Sequence, residues 1–201
     1  MHNSQHGPYE PRPAMPLTYE AQYKLVRCRI NGVPVAKMVD VRASLTDFLR
    51  NDFQLTSVKK GCEVGECGAC AVLINGKSFN SCIYLAIWAE NKDIWTTEGL
   101  LLRDGSLSLV QEAFLQEAAV QCGFCTPGFI VSATEIIARK KPYTRQELRK
   151  ELANHMCRCT GYENILRAVE KANNLANGFE PLEDHEVNVI RQEDKEEKIK
   201  Y

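Results

Sequence analysis

The chain has 201 residues, of which 44% are hydrophobic and 25% charged, and its formal net charge is −1. This composition indicates an ordinary globular protein of one or two domains, and the near-zero charge argues against nucleic acid as a partner, because nucleic-acid-binding domains usually carry a basic surface. No apolar run approaches the roughly 18 residues that a membrane span requires, and the first twenty residues lack a secretory pattern. We therefore expect no membrane span and a cytoplasmic location.

The N-terminal half shows the pattern of a small mixed sheet. Residues 1–20 are proline-rich and are predicted to form an extended arm, followed by a domain over residues 21–99. Two hairpins with Asn-Gly turns of type I′ are predicted there, together with a short helix and a closing strand: strands 23–30 and 33–41, a helix capped by Ser44, strands 71–74 and 77–79, and strand 93–97. Two hairpins around a helix favour a β-grasp arrangement.

From about residue 100 the apolar residues recur at helical spacing, which predicts a four-helix domain over residues 100–178. Its helices are expected to be about ten to fourteen residues long. Capping boxes or an N-cap ahead of proline mark their starts: Ser108 with Gln111, Thr126 before Pro127, Thr144 with Glu147, and Thr160 with Glu163. Residues 179–201 are predicted to be a charged tail. Because a small mixed sheet is followed by a separate helical domain, the predicted fold class is α+β.

The nine cysteines need an explanation if the protein is cytoplasmic, because disulfides are rare there and cysteines more often bind metal or do redox chemistry. A secreted disulfide scaffold is disfavoured, because no signal is visible and an odd count leaves one thiol unpaired. Cys28 lies between apolar residues on one face of the first strand, and we expect it to be buried as a small hydrophobic residue. His155 is expected to be a cap or contact residue.

The first group of candidate ligands has the spacing C-x₄-C-x₂-C-x₁₁-C. It comprises Cys62, Cys67, Cys70 and Cys82. The first three reproduce the plant-type ferredoxin spacing, and the interleaved glycines allow a loop to curl and direct its N–H groups at sulfur. The pattern predicts a [2Fe–2S] cluster. The alternative, a structural zinc site, usually shows two C-x₂₋₄-C pairs instead.

The second group pairs C-x₂-C with C-x-C. It comprises Cys122, Cys125, Cys157 and Cys159. Each pair precedes a predicted helix start, so two helix N-termini are expected to converge on one site, where their partial positive charge suits thiolates. Spacing alone favours an iron–sulfur cluster but leaves a zinc site or a redox dithiol open.

Three motifs around these cysteines resemble the signatures of the two-cluster iron–sulfur subunit of xanthine dehydrogenase and related molybdenum hydroxylases. They are Gly-Cys-Glu-Val-Gly-Glu-Cys-Gly-Ala-Cys (61–70), Gln-Cys-Gly-Phe-Cys-Thr-Pro-Gly (121–128) and Cys-Arg-Cys-Thr-Gly-Tyr (157–162), and the resemblance spans about residues 22–176. It implies two [2Fe–2S] clusters. It also implies a large partner subunit with the molybdenum–pterin cofactor near the second cluster, where Gln121 and Cys159 contact the pterin, and an FAD-binding subunit facing the first.

No G-x-G-x-x-G motif follows a strand, and no acid–base or nucleophile constellation is visible, so no catalytic residue is assigned. A chain with two electron carriers and no substrate machinery is expected to conduct electrons from the molybdenum cofactor to FAD, and onward to NAD⁺ on a third chain. The resemblance across residues 81–90 favours a xanthine or purine dehydrogenase. Aldehyde, carbon monoxide or aromatic hydroxylases are alternatives, as are, from another class, a stand-alone ferredoxin shuttle or a zinc-stabilised binding module.

Overall fold

The computed structural model describes residues 22–180, so the predicted arm over residues 1–20 and nearly all of the predicted tail lie outside the described part. The strands are β1 (Tyr23–Ile30), β2 (Val33–Asp40), β3 (Ala71–Ile74), β4 (Lys77–Asn80) and β5 (Asp93–Trp95). They form one mixed sheet in the order β2-β1-β5-β3-β4. β1 and β5 are parallel, and the remaining pairs are antiparallel. This confirms the α+β class with an N-terminal β-grasp domain.

Both hairpin turns have the conformation that their sequences predict. Asn31 and Gly32 have φ of 50° and 81°, and Asn75 and Gly76 have φ of 51° and 82°. Positive φ at both central residues defines the type I′ turn, which only Gly, Asn and Asp adopt readily. The two Asn-Gly pairs therefore fix the registers of β1 with β2 and of β3 with β4.

A short helical segment crosses one face of this sheet and closes the first core. Ser44 caps it by accepting a hydrogen bond from the Asp47 N–H at 3.0 Å, and helix α1 (Leu45–Asp47) continues into a π-helical turn (Phe48–Asp52). Phe48 and the apolar residues beside it in this segment are buried against β1 and β5. Cys28 is 6% exposed in this core, and burial raises the pKa of its thiol to about 11, which confirms its assignment as a buried apolar residue.

The C-terminal region is helical. Its helices are α2 (Leu109–Gln116), α3 (Thr126–Ala138), α4 (Arg145–Glu151) and α5 (Glu163–Asn177). They enclose a second apolar core around Phe114, Phe129 and Leu148. The expected length of ten to fourteen residues is wrong for α2 and α4, which have 8 and 7 residues. α2 ends early because Ala118 takes a left-handed φ of 49°, which no helix continues.

The predicted capping boxes at Ser108 and Thr144 are confirmed, but the other two predicted helix starts are wrong. α3 begins at Thr126, with Cys125 at the N-cap position, where its side chain makes no capping hydrogen bond. Tyr162 occupies the N-cap position of α5 in a left-handed conformation, and its side chain makes no capping hydrogen bond there. The Thr160 hydroxyl does not cap this helix, because it lies 3.1 Å from the Cys157 sulfur instead.

The two regions pack directly on each other. Val131 of α3 lies against Ala71 and Leu73 of β3 in a third buried cluster, and the Ser78 hydroxyl of β4 lies 2.8 Å from the Ser132 hydroxyl of α3. This packing places the cysteine-rich loop over residues 61–70 beside the first turn of α3. Within residues 22–180, no helix combines the length and apolarity needed to cross a membrane.

Candidate metal centres

The first candidate centre lies in the loop that precedes β3. The Cys62 sulfur accepts hydrogen bonds from the backbone N–H groups of Val64 (3.5 Å), Glu66 (3.3 Å) and Cys67 (3.4 Å). These bonds stabilise the thiolate, with that of Val64 the largest contributor, and they lower the pKa of Cys62 to about 6. The loop is therefore shaped around an anionic sulfur before any metal is considered.

Glycine is required in this loop on two physical grounds. Gly65 and Gly68 have φ of 84° and 68°, a region in which a side chain is strained. At Gly61, a Cβ would lie only 2.9 Å from the Cys67 sulfur, so a larger residue would displace that ligand. The predicted role of the interleaved glycines, to let the loop curl around its sulfurs, agrees with this geometry.

Cys70 and Cys82 complete the first group from the sheet side. Cys70 is buried where the loop enters β3, and Cys82 lies in the short 3₁₀ turn Ser81–Ile83 after β4. Burial, followed by the hydrogen bond to Cys70, raises the pKa of Cys82 to about 11, and the charge of Cys62 adds to this effect. The four predicted cysteines therefore face one another, as the spacing predicted.

The second candidate centre is assembled from two separate turns. The Cys122 and Cys159 sulfurs lie 3.6 Å apart on the surface, and the thiols of Cys125 and Cys157 are hydrogen bonded to each other below them. Cys125 is buried and Cys157 half-buried, whereas Cys122 and Cys159 are exposed. The four cysteines that the sequence analysis grouped thus meet at one place.

The thiols of the second centre differ in pKa. Burial, followed by the hydrogen bond with Cys157, raises the pKa of Cys125 to about 12. The pKa of Cys159 is also raised, chiefly by its hydrogen bond with Cys122. Burial acts in the same direction on Cys157, but hydrogen bonds from the Thr160 hydroxyl and N–H outweigh it, so the pKa of Cys157 is lowered.

The helix starts at this centre are arranged less symmetrically than the sequence predicted. α3 begins directly after Cys125. α5 begins only at Glu163, after an intervening turn in which the Cys157 N–H donates to the Tyr162 hydroxyl at 2.9 Å. The second cysteine pair is therefore positioned by side chains of its own turn. Tyr162 is the last residue of the third sequence motif, but the motif alone assigned it no role.

Gln121 lies beside Cys122 and is exposed, as Cys122 and Cys159 are. The three residues therefore share one accessible edge of the second centre. The predicted contact of Gln121 and Cys159 with a pterin requires another molecule at this edge, and it stays a prediction.

His155 is the residue near the two centres whose role the sequence did not reveal. It is 3% exposed, its Nε2 atom lies 2.7 Å from the Ser132 hydroxyl, and its ring packs on Phe129 at 4.7 Å between centroids. Burial lowers the pKa of His155 to about 4, which a hydrogen bond to the Gly68 backbone partly opposes. The expectation of a contact residue is confirmed, and the contact joins the two domains.

The donor set at both centres suits iron–sulfur clusters. Thiolates are the ligands of such clusters, and positive charge bound beside Cys82 and Cys125 would favour ionisation of these thiols, whose pKa is otherwise raised. All nine cysteines, each within the described part, are free. Among residues 22–180, no three His, Cys, Asp or Glu side chains are arranged to hold a single metal ion. Support for clusters therefore comes from donor chemistry and loop shape.

Comparison with known proteins identifies the family to which this chain belongs. Models of a 2Fe-2S iron-sulfur cluster binding domain and of a [2Fe-2S] binding domain match residues 28–93 and 96–170. The xanthine dehydrogenase iron-sulfur-binding subunit of Escherichia coli O157:H7 is 49% identical over 72% of this chain and 91% of its own length. The nicotine 6-hydroxylase small subunit of Paenarthrobacter nicotinovorans is 46% identical over 70% of this chain and 84% of its own.

Among solved structures, a chain of quinoline 2-oxidoreductase from Pseudomonas putida 86 superposes with a TM-score of 0.74 at 39% identity, covering 79% of this chain and 98% of that one. The chain belongs to the family of [2Fe–2S] iron–sulfur subunits of molybdenum hydroxylases. Within that family it is an electron-transfer component of an oxidoreductase complex, carrying [2Fe–2S] clusters.

Proposed function

We propose that each four-cysteine group holds one [2Fe–2S] cluster. The first cluster is bound by Cys62, Cys67, Cys70 and Cys82, and the second by Cys122, Cys125, Cys157 and Cys159. The observation that carries this proposal is the convergence of each group at one place, with amide N–H groups directed at Cys62 and the Thr160 hydroxyl at Cys157. Hydrogen bonds of this kind to ligand sulfurs tune cluster potentials.

The proposed direction of electron flow follows from exposure at the second centre. Gln121, Cys122 and Cys159 form an edge that a partner can reach, which supports contact with a molybdenum–pterin cofactor on a large subunit. Electrons would enter there, cross to the first centre and leave to FAD on a further subunit, with NAD⁺ as final acceptor. Bound clusters accept and pass on single electrons, while this chain's residues hold them and shape their surroundings.

The proposed substrate of the complex is xanthine or a related purine, and the proposed location is the cytoplasm. The 49% identity to the xanthine dehydrogenase subunit supports the purine, but relatives named for nicotine, nicotinate and aldehyde are 36–46% identical. We therefore infer that the large subunit, rather than this chain, selects the substrate. Comparing the co-purified complex on xanthine, aldehydes and N-heterocycles tests this choice, and a clear preference for a substrate other than a purine would refute it.

The cluster assignment is tested on the purified full chain. Two clusters of two irons each predict four iron and four acid-labile sulfide per chain, with two distinct paramagnetic signals after reduction. Zinc in the second centre would refute the assignment there and favour a zinc-stabilised binding module. A chain that stays monomeric when its candidate partner subunits are co-expressed would instead favour a stand-alone ferredoxin shuttle.

A further inference from the structure

The two centres approach each other through a few backbone atoms. The Met156 N–H, next to Cys157, donates a hydrogen bond at 3.0 Å to the carbonyl oxygen of Cys67. One hydrogen bond therefore joins the main chain at a ligand of the first centre to the main chain beside a ligand of the second. A bonded contact of this kind is a favourable path for an electron, because electron transfer through protein weakens steeply with distance and with each gap through space.

His155, the residue before Met156, holds this contact from the side. Its ring hydrogen bonds to the Gly68 backbone, directly after Cys67, and its Nε2 atom lies 2.7 Å from the Ser132 hydroxyl. That hydroxyl is in turn 2.8 Å from the Ser78 hydroxyl of β4. A neutral imidazole has one donor and one acceptor, so two partners satisfy it. The chain of hydrogen bonds runs from one domain through α3 to the loop of the first centre.

The fit around this ring leaves no room for adjustment. A Cβ atom built at Gly68 would overlap the His155 Nδ1 atom and lie 2.7 Å from the Asn154 carbonyl oxygen. A Cβ built at Gly128, in the first turn of α3, would overlap the Gly68 carbonyl oxygen. The glycines let the three segments approach closely, and the ring occupies the space beside Gly68.

We propose that His155 is the positioning residue of the contact between the two centres. It holds the Cys67–Gly68 turn against the Met156–Cys157 turn, and so it sets the separation and the hydrogen bond across which electrons pass. This role rests on the proposed function, because it requires a cluster at each centre. His155 touches neither cluster in this role and acts through the backbone on either side of it.

The test uses the full chain with its clusters, and its readout is the magnetic interaction between the two reduced clusters in electron paramagnetic resonance. His155→Phe keeps a ring of similar width and removes both hydrogen bonds. Ser132→Ala removes one of them. Thr134→Ala is the matched control, because Thr134 is on the same helix but its hydroxyl bonds to the Ile130 carbonyl of that helix at 2.8 Å. His155→Asn retains an amide able to make one of the two bonds.

We expect His155→Phe to keep the iron and sulfide content while the spin–spin splitting is lost or broadened. Ser132→Ala should change the splitting in the same direction by less, Thr134→Ala should match the wild type, and His155→Asn should be intermediate. An unchanged splitting in His155→Phe overturns the proposal. If that variant loses iron, unchanged splitting in both His155→Asn and Ser132→Ala overturns it. A wild-type chain without the second cluster refutes the proposed function instead.

Discussion

The two candidate centres are built in different ways, although each presents four cysteines. In the first, three of the cysteines lie in one loop, and the backbone of that loop donates three hydrogen bonds to the Cys62 sulfur. In the second, two short turns are brought together by the packing of α3 and α5 in the helical core. Its sulfur ligands receive hydrogen bonds mainly from a side chain and N–H of one residue, Thr160.

The two centres therefore obtain their geometry from different sources. A loop that curls around its own sulfur keeps its shape through local backbone bonds, which mutation of a side chain does not remove. A centre assembled from distant turns depends on the apolar core that aligns them and on the few side chains that fix each turn. We therefore expect the second centre to respond to substitutions in its surroundings more strongly than the first.

The largest effect is expected from Cys125→Ser, which removes a ligand of the second centre. Serine is a poor ligand for a cluster held by soft thiolates, so iron and sulfide should fall to about half, as expected for one cluster lost of two. The paramagnetic signal of the first cluster should persist, and electron flow from substrate to flavin should stop. Iron analysis, spectroscopy and turnover of the complex measure these three quantities.

Cys28→Ser is the matched control for that variant. Cys28 is buried in the first core and belongs to neither group, so its replacement should leave both clusters in place. Retained turnover in Cys125→Ser would contradict the proposed order of carriers. Loss of iron in Cys28→Ser would contradict the assignment of that residue as a packing residue.

The dependence of the second centre on its core is tested by replacing one buried phenylalanine with alanine in each domain, in separate variants. Phe129 and Phe48 are 0% and 1% exposed, and Phe129 lies in α3 next to the second centre. Truncating a buried phenylalanine to alanine costs about 3–5 kcal/mol. Phe129→Ala should lower the unfolding midpoint monitored by the second cluster's absorption and leave iron in the first. If Phe129→Ala lost the first cluster before the second, the expectation that the second centre depends more strongly on its surroundings would be wrong.

Phe48→Ala is the counterpart in the β-grasp core, with a similar loss of buried ring. Phe48→Ala should destabilise the first domain by a similar amount. The first cluster in this variant should nevertheless be released later in the unfolding transition than the second cluster is released in Phe129→Ala. The backbone bonds of the Cys62 loop remain in this variant. Equal retention of the two clusters in the two variants would show that both centres depend on their cores alike.

The first centre could be predicted from sequence almost completely, and the second only in part. The spacing of Cys62, Cys67 and Cys70 encodes a local loop, so its meaning does not depend on the rest of the chain. The pairs at Cys122 and Cys157 carry no information on which helices pack together, and spacing alone left zinc and a redox dithiol open. The family resemblance, not helical periodicity, supplied that link.

Both misplaced helix starts occur at the second centre, where a cysteine pair lies shortly before each helix. Thr160 and Thr126 have the side chains of helix caps, and propensity alone therefore assigned them as caps. In the structure Thr126 is already the first residue of α3, and the Thr160 hydroxyl bonds to the Cys157 sulfur instead of capping α5. The interdomain position of His155 was equally invisible, because it depends on how Gly68 and Gly128 meet in space.

A smaller effect is expected from Thr160→Val, which removes the hydroxyl at 3.1 Å from the Cys157 sulfur and keeps the side-chain shape. A hydrogen bond to a ligand sulfur stabilises the reduced, more negative cluster, so its loss lowers the reduction potential of the second cluster. A bond worth ~1 kcal/mol corresponds to about 40 mV for a one-electron couple. Redox titration followed by paramagnetic resonance measures the shift.

Thr160→Ser is the control for this substitution, because it keeps the hydroxyl and should keep the potential. The reduction potential of the first cluster should be unchanged in both variants, because the Cys62 sulfur accepts its hydrogen bonds from N–H groups of its own loop and not from Thr160. A shift of equal size in Thr160→Ser would show that packing of the methyl group, rather than the hydroxyl, sets the potential.

The smallest effect is expected from Tyr162→Phe, which removes the hydroxyl that accepts the Cys157 N–H at 2.9 Å. The ring stays in contact with Phe129, so only the hydrogen bond is lost. Because Tyr162 is partly exposed and water can replace the hydroxyl, we expect a loss of about 0.5 kcal/mol in unfolding free energy. Tyr84→Phe is the matched control: it removes a hydroxyl bonded to the Trp88 carbonyl in the first domain. Denaturation followed at the second cluster should be weakened in Tyr162→Phe and unchanged in Tyr84→Phe. An equal change in unfolding free energy in both variants would mean that the Tyr162 hydroxyl does not stabilise the turn carrying Cys157 and Cys159. The proposed difference between the two centres would then be wrong for this turn.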